Sequence, residues 1–205
     1  MSNFTNMVVA GMGAVLAAVI ASPGVANADP PDIEIVDVGY GGNGCPQGTA
    51  SAILSADKTE LTVLFDEYIA ETHEEDWRVR RTCNVGVSLK IPPGFSVTLL
   101  KLDYRGYARI PKRGFGELRA EYFFAGGRGP SYVRRFPRGH DGNYIATDYV
   151  VGKTWSACGD SVIARANTSI RAEKASRRST DEAIVTVDSL DLKAGIIFHI
   201  DWRSC

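Results

Sequence analysis

The sequence is poor in the residues and motifs that catalysis and metal binding use. It has three His and four Cys in 205 residues, and no C-x-x-C, H-E-x-x-H or G-x-S-x-G motif occurs in it. A zinc or calcium site therefore has weak support, the serine hydrolase motif is absent, and we expect no metal and no cofactor. Neither sign of charge is in excess, since 23 basic and 24 acidic residues give a net charge of −1. We accordingly expect no nucleic-acid partner.

No apolar run is long enough to cross a membrane as a helix, which takes about 20 residues. The longest, Met7 to Ala21, ends at a Ser-Pro-Gly break that is followed by Ala26-Asn27-Ala28. This order predicts a signal peptide over residues 1–28, cleaved after Ala28. We expect residues 29–205 to form a single exported domain without a transmembrane anchor. Its predicted location is extracellular, with a periplasmic or a cell-wall-associated location as alternatives.

The four cysteines lie far apart, at positions 45, 83, 158 and 205. Wide spacing without close pairs is typical of disulfides in an exported protein. Pairing in sequence order, Cys45 with Cys83 and Cys158 with Cys205, is favoured because the second bridge then holds the last residue of the chain. The two crossed pairings stay open.

Apolar and polar residues alternate along most of the remaining chain. Residues 82–91, 162–173 and 196–203 show the pattern of strands with one buried face. Turn residues separate further apolar segments, and no stretch has the period of an amphipathic helix. We therefore predict an all-β fold, a disulfide-stapled antiparallel β-sandwich, with a jelly roll or a closed barrel as alternatives. The other predicted strands cover residues 33–40, 49–55, 60–66, 95–104, 115–124, 131–136, 143–150 and 182–188.

One predicted strand changes its buried face partway along. Its apolar residues are odd-numbered from Phe95 to Leu99 and even-numbered from Leu100 to Tyr104. An extra residue in a strand moves every following side chain to the other face. We therefore predict a β-bulge near Leu99.

Four short motifs resemble a known family. They are YGGNGCPQG at 40–48, DYRGYA at 103–108, WSACG at 155–159 and WRSC at 202–205. With these motifs in this order, the chain is similar to the secreted family called domain of unknown function 4360 over nearly all of residues 29–205. The resemblance implies an exported, disulfide-bearing domain. It supplies no catalytic residues, because no activity is established for the family.

Charge is unevenly distributed along the chain. Residues 66–76 hold six acids and no basic residue, whereas residues 101–138 hold ten basic residues and three acids. If these basic residues gather on one side with aromatic residues between them, they form a surface suited to an anionic envelope polysaccharide. The alternative is that they lie in loops and pair with the acidic segment. The candidate binding residues are Arg105, Tyr107, Arg109, Arg134, Arg135 and Arg138.

The stretch around Arg105 has two interpretations. Strand spacing places Asp103, Arg105 and Tyr107 on one face, where an ion pair between the first two either braces the sheet surface or forms a platform for a ligand. The brace is favoured. The three His are expected at the surface, with His199 beside Asp201.

Two other functions compete with polysaccharide binding. Glu117 and Glu121 suggest a polysaccharide hydrolase, but four residues on one strand span about 13 Å, more than the roughly 6.5–9.5 Å that inverting glycosidases use. Trp77 lies between acidic residues and arginines in a predicted loop over residues 66–81, which would suit docking on a secreted protein partner. The leading hypothesis is a secreted binding domain without catalysis.

Overall fold

The structure, a computed structural model, describes residues 30–187 and 195–205. These residues form two antiparallel β-sheets, which confirms the predicted fold class. They include no helix, and so none with the length and apolarity to span a membrane. The predicted signal peptide lies outside the described residues, as does the last residue of the predicted strand at 182–188.

Six strands form the sheet that we call the front sheet. They are β1 (Glu34–Gly41), β5 (Arg78–Lys90), β7 (Phe115–Phe124), β8 (Gly127–Arg128), β9 (Tyr132–Arg135) and β11 (Val162–Glu173). Their order is β1-β5-β11-β7, and β8 and β9 pair one after the other with the far edge of β7. The two longest strands, β5 and β11, therefore lie inside the front sheet.

Seven strands form the back sheet. They are β2 (Ala50–Leu54), β3 (Glu60–Phe65), β4 (Ile69–Glu71), β6 (Phe95–Arg109), β10 (Asp141–Tyr149), β12 (Ile184–Thr186) and β13 (Gly195–Ser204). Strand β6 is central, because its residues pair with β13 and β12 along one edge and with β10 along the other.

Alternate side chains of both sheets form one core between them. Val85, Val87 and Leu89 of β5 are buried on the inner side of the front sheet, and Leu102 and Phe198 are buried on that of the back sheet. Strand β11 contributes small inner residues, Ala164, Ala166 and Ala172, all fully buried. Small inner side chains allow the second layer to approach closely, as the sequence pattern predicts.

The predicted bulge in β6 is confirmed. His199 pairs with Lys101 and Ile200 pairs with Leu99, so Leu100 is the extra residue.

The two disulfides are also those favoured from the sequence. Cys45 is bonded to Cys83, with Cα atoms 5.4 Å apart, and Cys158 to Cys205, with Cα atoms 6.1 Å apart.

The predicted loop over residues 66–81 is wrong. It contains β4 and the first residues of β5, and Tyr68, immediately before β4, is fully buried. The part that remains a loop is anchored by the buried Lys174, whose Nζ donates hydrogen bonds to the backbone carbonyls of His73 at 2.6 Å and Glu74 at 3.1 Å. A charged side chain that caps backbone carbonyls cannot be found from local alternation, which is why sequence reasoning missed this order.

Candidate functional site

The outer side of the front sheet carries a grid of hydrogen-bonding side chains. Strand alternation turns Thr82 and Asn84 of β5 outward, and cross-strand pairing sets Ser169 and Asn167 of β11 directly beside them. On the next strand, β7, Arg119 pairs with Ser169 and Glu121 with Asn167. Amides and hydroxyls both donate and accept hydrogen bonds, so this grid offers both functions on one flat surface. It lines a shallow basin of about 360 Å³.

Most charged groups on this outer side are already paired. Glu117, whose side chain is almost fully buried, accepts hydrogen bonds from Arg119 Nε at 2.6 Å and Arg135 Nε at 3.2 Å. Burial acts to raise the pKa of the Glu117 carboxyl, but the two arginines outweigh burial and hold that pKa below its usual value. Glu121 accepts from Arg128 Nε at 2.8 Å. Both carboxylates are therefore held in place by arginines.

Two arginines on the same surface have no carboxylate partner among residues 30–187 and 195–205. Arg80 of β5 is exposed and donates only to the hydroxyl of Ser169, at 3.3 Å. Arg165 of β11 is exposed beside Gly86 and Phe123. From Arg80 to Gly86 is six residues of strand, about 20 Å. Two free guanidinium groups thus lie on opposite sides of the amide and hydroxyl grid.

A trough of about 520 Å³ continues the basin towards the edge strand β1. The two depressions share Asn84 in their lining. The trough exists because glycines, Gly39 and Gly41 in β1 and Gly86 in β5, occupy outward positions there. Its walls are formed by Asp37, Ser88, Ile163 and Arg165.

The structure separates the candidate residues predicted from the sequence into two groups. Arg105, Tyr107 and Arg109 point outward from β6 in the back sheet, whereas Arg134 and Arg135 lie on β9 in the front sheet. Arg138 is exposed in the connection from β9 to β10. The ten basic residues at 101–138 therefore do not form one surface. Their ion-pair partners, where they have them, include Asp103, Glu117, Glu121 and Glu182, none of which belongs to the acidic segment 66–76.

Residues of the back-sheet group are held by hydrogen bonds within the sheet. The Tyr107 hydroxyl donates to Asp141, and Arg109 pairs with Glu182 at 3.4 Å. Arg105 lies 3.9 Å from the carboxylate of Asp103, which is only 3% exposed. This geometry matches the brace interpretation of the pair, because a buried carboxylate must have partners to remain charged.

Asp103 has more partners than the sequence suggests. Thr147 Oγ1 donates to it at 2.6 Å, Lys101 Nζ at 3.2 Å, and His199 Nε2 lies 2.8 Å from it. His199 also lies 3.4 Å from Glu60 through Nδ1. The expectation that His199 is a plain surface residue beside Asp201 is therefore wrong, because neighbouring strands place it between two carboxylates.

Trp77 immediately precedes β5 and is half-buried. The guanidinium of Arg78 lies 4.5 Å from the centre of its ring. Arg78 is in turn paired with Glu173 at 2.7 Å. The indole is thus covered on one face by a neighbour along the chain. Trp77 lies outside the linings of the trough and the basin.

The carboxylates suggested for hydrolysis do not form an acid and base pair. Glu117 and Glu121 are each bound by arginine. The pKa of Glu117 is lowered, whereas a general acid needs a raised pKa. Asp148 has a raised pKa, but it faces the core from β10 and is only 6% exposed. Among the described residues, no group of three or more His, Cys, Asp or Glu is arranged to hold a metal ion.

Four residues of this surface were not among the candidates predicted from the sequence: Arg80, Asn84, Arg165 and Asn167. Their outward positions were readable from the alternation in 82–91 and 162–173. What was missing was the register that sets Asn84 beside Asn167 and Gly86 beside Arg165.

Fold and site together define a class: a disulfide-stapled protein of two antiparallel sheets with a polar, arginine-rich outer face. The family model described as "Domain of unknown function (DUF4360)" matches residues 31–205, so the chain belongs to that family. A relative in Arthroderma benhamiae, named an uncharacterized secreted protein, is 34% identical over 186 residues, which cover 86% of this chain and 74% of the relative. Two disulfides in this chain fit the same oxidising, extracellular environment.

Solved structures resemble this chain only remotely. The carbohydrate-binding module TmCBM61, in complex with β-1,4-galactotriose, gives a TM-score of 0.26 at 9% identity, covering 84% of this chain and 91% of the module. The tailspike protein 4 of bacteriophage CBA120 gives 0.20 at 15% identity, covering 84% of this chain and 19% of the tailspike chain. TM-scores this low carry no argument about ligands.

Proposed function

We propose that this protein is an exported, non-catalytic binding protein that holds an anionic envelope polysaccharide against the outer side of its front sheet. The observation that carries the proposal is the position of Arg80 and Arg165, which have no carboxylate partner in the part of the chain that the structure describes, on opposite sides of a grid of amides and hydroxyls. Guanidinium groups form paired, charge-assisted hydrogen bonds with carboxylates, phosphates and sulfates. Amides and hydroxyls suit the hydroxyl groups of sugars.

The charge of this outer side supports an anionic ligand. This outer side carries eight basic and five acidic residues, a net charge of three positive. The basic residues are Arg78, Arg80, Lys90, Arg119, Arg128, Arg135, Arg165 and Arg171, and the acidic residues are Glu34, Asp37, Glu117, Glu121 and Glu173. The whole chain has a net charge of −1. The fold therefore concentrates positive charge on one surface of a nearly neutral protein, which attracts anionic polymers at low salt.

The same electrostatics explain why catalysis is not proposed. A glycosidase needs one carboxyl group with a raised pKa beside the substrate. On the front sheet the described carboxylates near the basin, Glu117 and Glu121, are bound by arginines. The proposed binding region includes neither Arg134, which shares its side of β9 with the inward-facing Leu118, nor Arg138, which lies in the connection from β9 to β10.

Retention in native gels that contain polygalacturonate or neutral galactan, at low and high salt, tests the proposal. We expect the disulfide-bonded protein to be retarded by the acidic polymer, less so at high salt, with no release of soluble sugar. The double variant Arg80→Gln/Arg165→Gln should bind at least about tenfold more weakly, since each lost charged hydrogen bond contributes about 1.5 kcal/mol or more. Arg109→Gln removes an arginine from the back sheet and serves as the matched control. Equal retention of the double variant and the parent protein would overturn the proposal, and so would product release.

A further inference from the structure

Three glycines leave part of the front sheet without side chains. Gly39 pairs with Gly86, and Gly41 pairs with Asn84, so these glycines are neighbours across β1 and β5. All three occupy positions whose side chains would point outward into the trough. The floor of the trough is consequently bare peptide backbone.

The fold itself does not require glycine at these positions. A Cβ atom at Gly41 would meet no other atom within 4 Å, one at Gly39 would lie 4.0 Å from the nearest atom, and one at Gly86 would lie 3.5 Å from Ile163 Cγ2. None of the three has a positive φ angle. The contrast is Gly42, which has a φ of 145° and where a Cβ would lie 2.1 Å from the Thr82 carbonyl oxygen.

Glycine in a strand destabilises the sheet, because it gains no side-chain packing and loses more conformational freedom than other residues. Where neither φ nor packing demands it, the remaining physical use of glycine is to let something approach the backbone closely. Three such glycines side by side in the same depression indicate a ligand that lies flat on the sheet.

We infer that the trough is a sugar subsite, in which one face of a pyranose ring of the anionic polysaccharide lies directly on the backbone of Gly39, Gly41 and Gly86. This inference rests on the proposed function and adds where and how the polymer is held. Ile163, 48% exposed, offers the ring an apolar wall. Asp37 accepts hydrogen bonds from sugar hydroxyls, and Asn84 and Arg165 donate to them.

The trough and the basin meet at Asn84, so the ligand extends from one to the other. Both depressions are shallow and lie on a sheet surface. A single sugar cannot reach from Gly86 to Arg80, about 20 Å along the strand. The ligand class is therefore an internal segment of a linear acidic polysaccharide, rather than a monosaccharide or a chain end.

Filling the trough tests this inference. Gly86→Val adds a side chain suited to a central strand and should leave the melting temperature unchanged or higher. We expect it to weaken binding of long oligogalacturonides at least about tenfold while changing that of the disaccharide little. Asn143→Val adds similar apolar bulk at an exposed position on the back sheet and is the matched control. If Gly86→Val lowers the melting temperature, Gly41→Ala replaces it, because its Cβ meets no other atom.

The outcomes separate this inference from the proposed function. Loss of binding in Arg80→Gln/Arg165→Gln together with full binding in Gly86→Val would leave the proposed function standing and overturn the glycine subsite. Absence of any polymer binding by the parent protein would overturn both. Backbone amide NMR shifts on titration with an oligogalacturonide report directly which residues the ligand contacts. Shifts in the basin without shifts at the three glycines would also overturn the subsite. If sedimentation shows a dimer and Gly86→Val dissociates it, the occupant of the trough is a second copy of the chain instead of a sugar.

Discussion

Replacing Asp148 by asparagine is expected to stabilise the protein at neutral pH and to change little near pH 4. Asp148 lies on the inner side of β10, opposite Leu102, and is 6% exposed. Within residues 30–187 and 195–205 its Oδ2 has no hydrogen-bond partner, and neither has the hydroxyl of the buried Tyr104. Burial without a counter-charge raises the pKa of the Asp148 carboxyl from 3.8 to about 6.

The magnitude follows from the difference between these two pKa values. Each pKa unit corresponds to about 1.4 kcal/mol, so the ionised carboxyl costs the folded state about 2–3 kcal/mol at neutral pH. Below pH 4 the carboxyl is protonated in both the folded and unfolded states, and the cost vanishes. Between pH 4 and 6 the unfolded chain releases its proton first, so the free energy of unfolding falls as the pH rises. Above pH 6 the full cost remains. The tyrosines near Asp148 do not titrate in this range, because burial raises the pKa values of Tyr104, Tyr122 and Tyr132 above 10.

Urea unfolding at several pH values between 4 and 7.5 measures this effect as the difference between Asp148→Asn and the parent protein. We expect a gain near zero at pH 4 that grows to about 2–3 kcal/mol at pH 7.5, or roughly 4–12 °C in melting temperature for a chain of this size. Asp181→Asn, at an exposed position, is the control and should show no such growth. A constant difference across the pH range, or a loss of stability at pH 7.5, would refute the reasoning.

Three further outcomes are expected. Replacing Cys45 and Cys83 by alanine should lower the free energy of unfolding by about 4 kcal/mol, since the bridge spans 38 residues; a urea midpoint unchanged from the oxidised parent would contradict this. Gly42→Ala should destabilise by several kcal/mol because its Cβ would lie 2.1 Å from a backbone oxygen, whereas Gly41→Ala should not; equal melting temperatures of the two variants would argue against this backbone geometry. Asp103→Asn should cost about 2–3 kcal/mol at pH 7. Burial acts to raise the pKa of Asp103, but hydrogen bonds from Thr147, His199 and Lys101 hold it below its usual value. This stabilisation is therefore present above the usual carboxyl pKa and is lost as the pH falls through the lowered pKa, so a deficit as large at pH 3 as at pH 7 would speak against it.

Local patterns were sufficient for much of the fold. The alternation in 162–173 and 196–203 predicts strands that the structure has, and the parity change at Leu99 predicts the bulge that lies at Leu100. These features depend on the period of two along a strand, which each segment carries in its own residues. The favoured disulfide pairing also follows from spacing, although spacing alone left crossed pairings open.

Short strands could not be predicted, because alternation shows only in a segment of several residues. Strand β4 has three residues and β8 has two, too few for alternation to be visible. Strand β5 begins at Arg78 rather than at the predicted residue 82. Its first residues are held in the strand by pairing with β11, and they show no apolar alternation of their own. Such pairings stabilise backbone whose own sequence indicates a loop.

The amino-acid sequence by itself determined which side chains of the alternating segments face the core and where the chain turns, and it favoured one cysteine pairing without excluding the others. Only the tertiary structure decided which outward residues are neighbours. Glu117 is held by Arg135 from another strand, His199 lies against Asp103 from 96 residues away, and Gly39 lies beside Gly86. Alternation fixes the face of a strand but not its partner or register, and these depend on the packing of the whole sandwich. The proposed site is made of such neighbours, which is why it became visible only once the sheets were assembled.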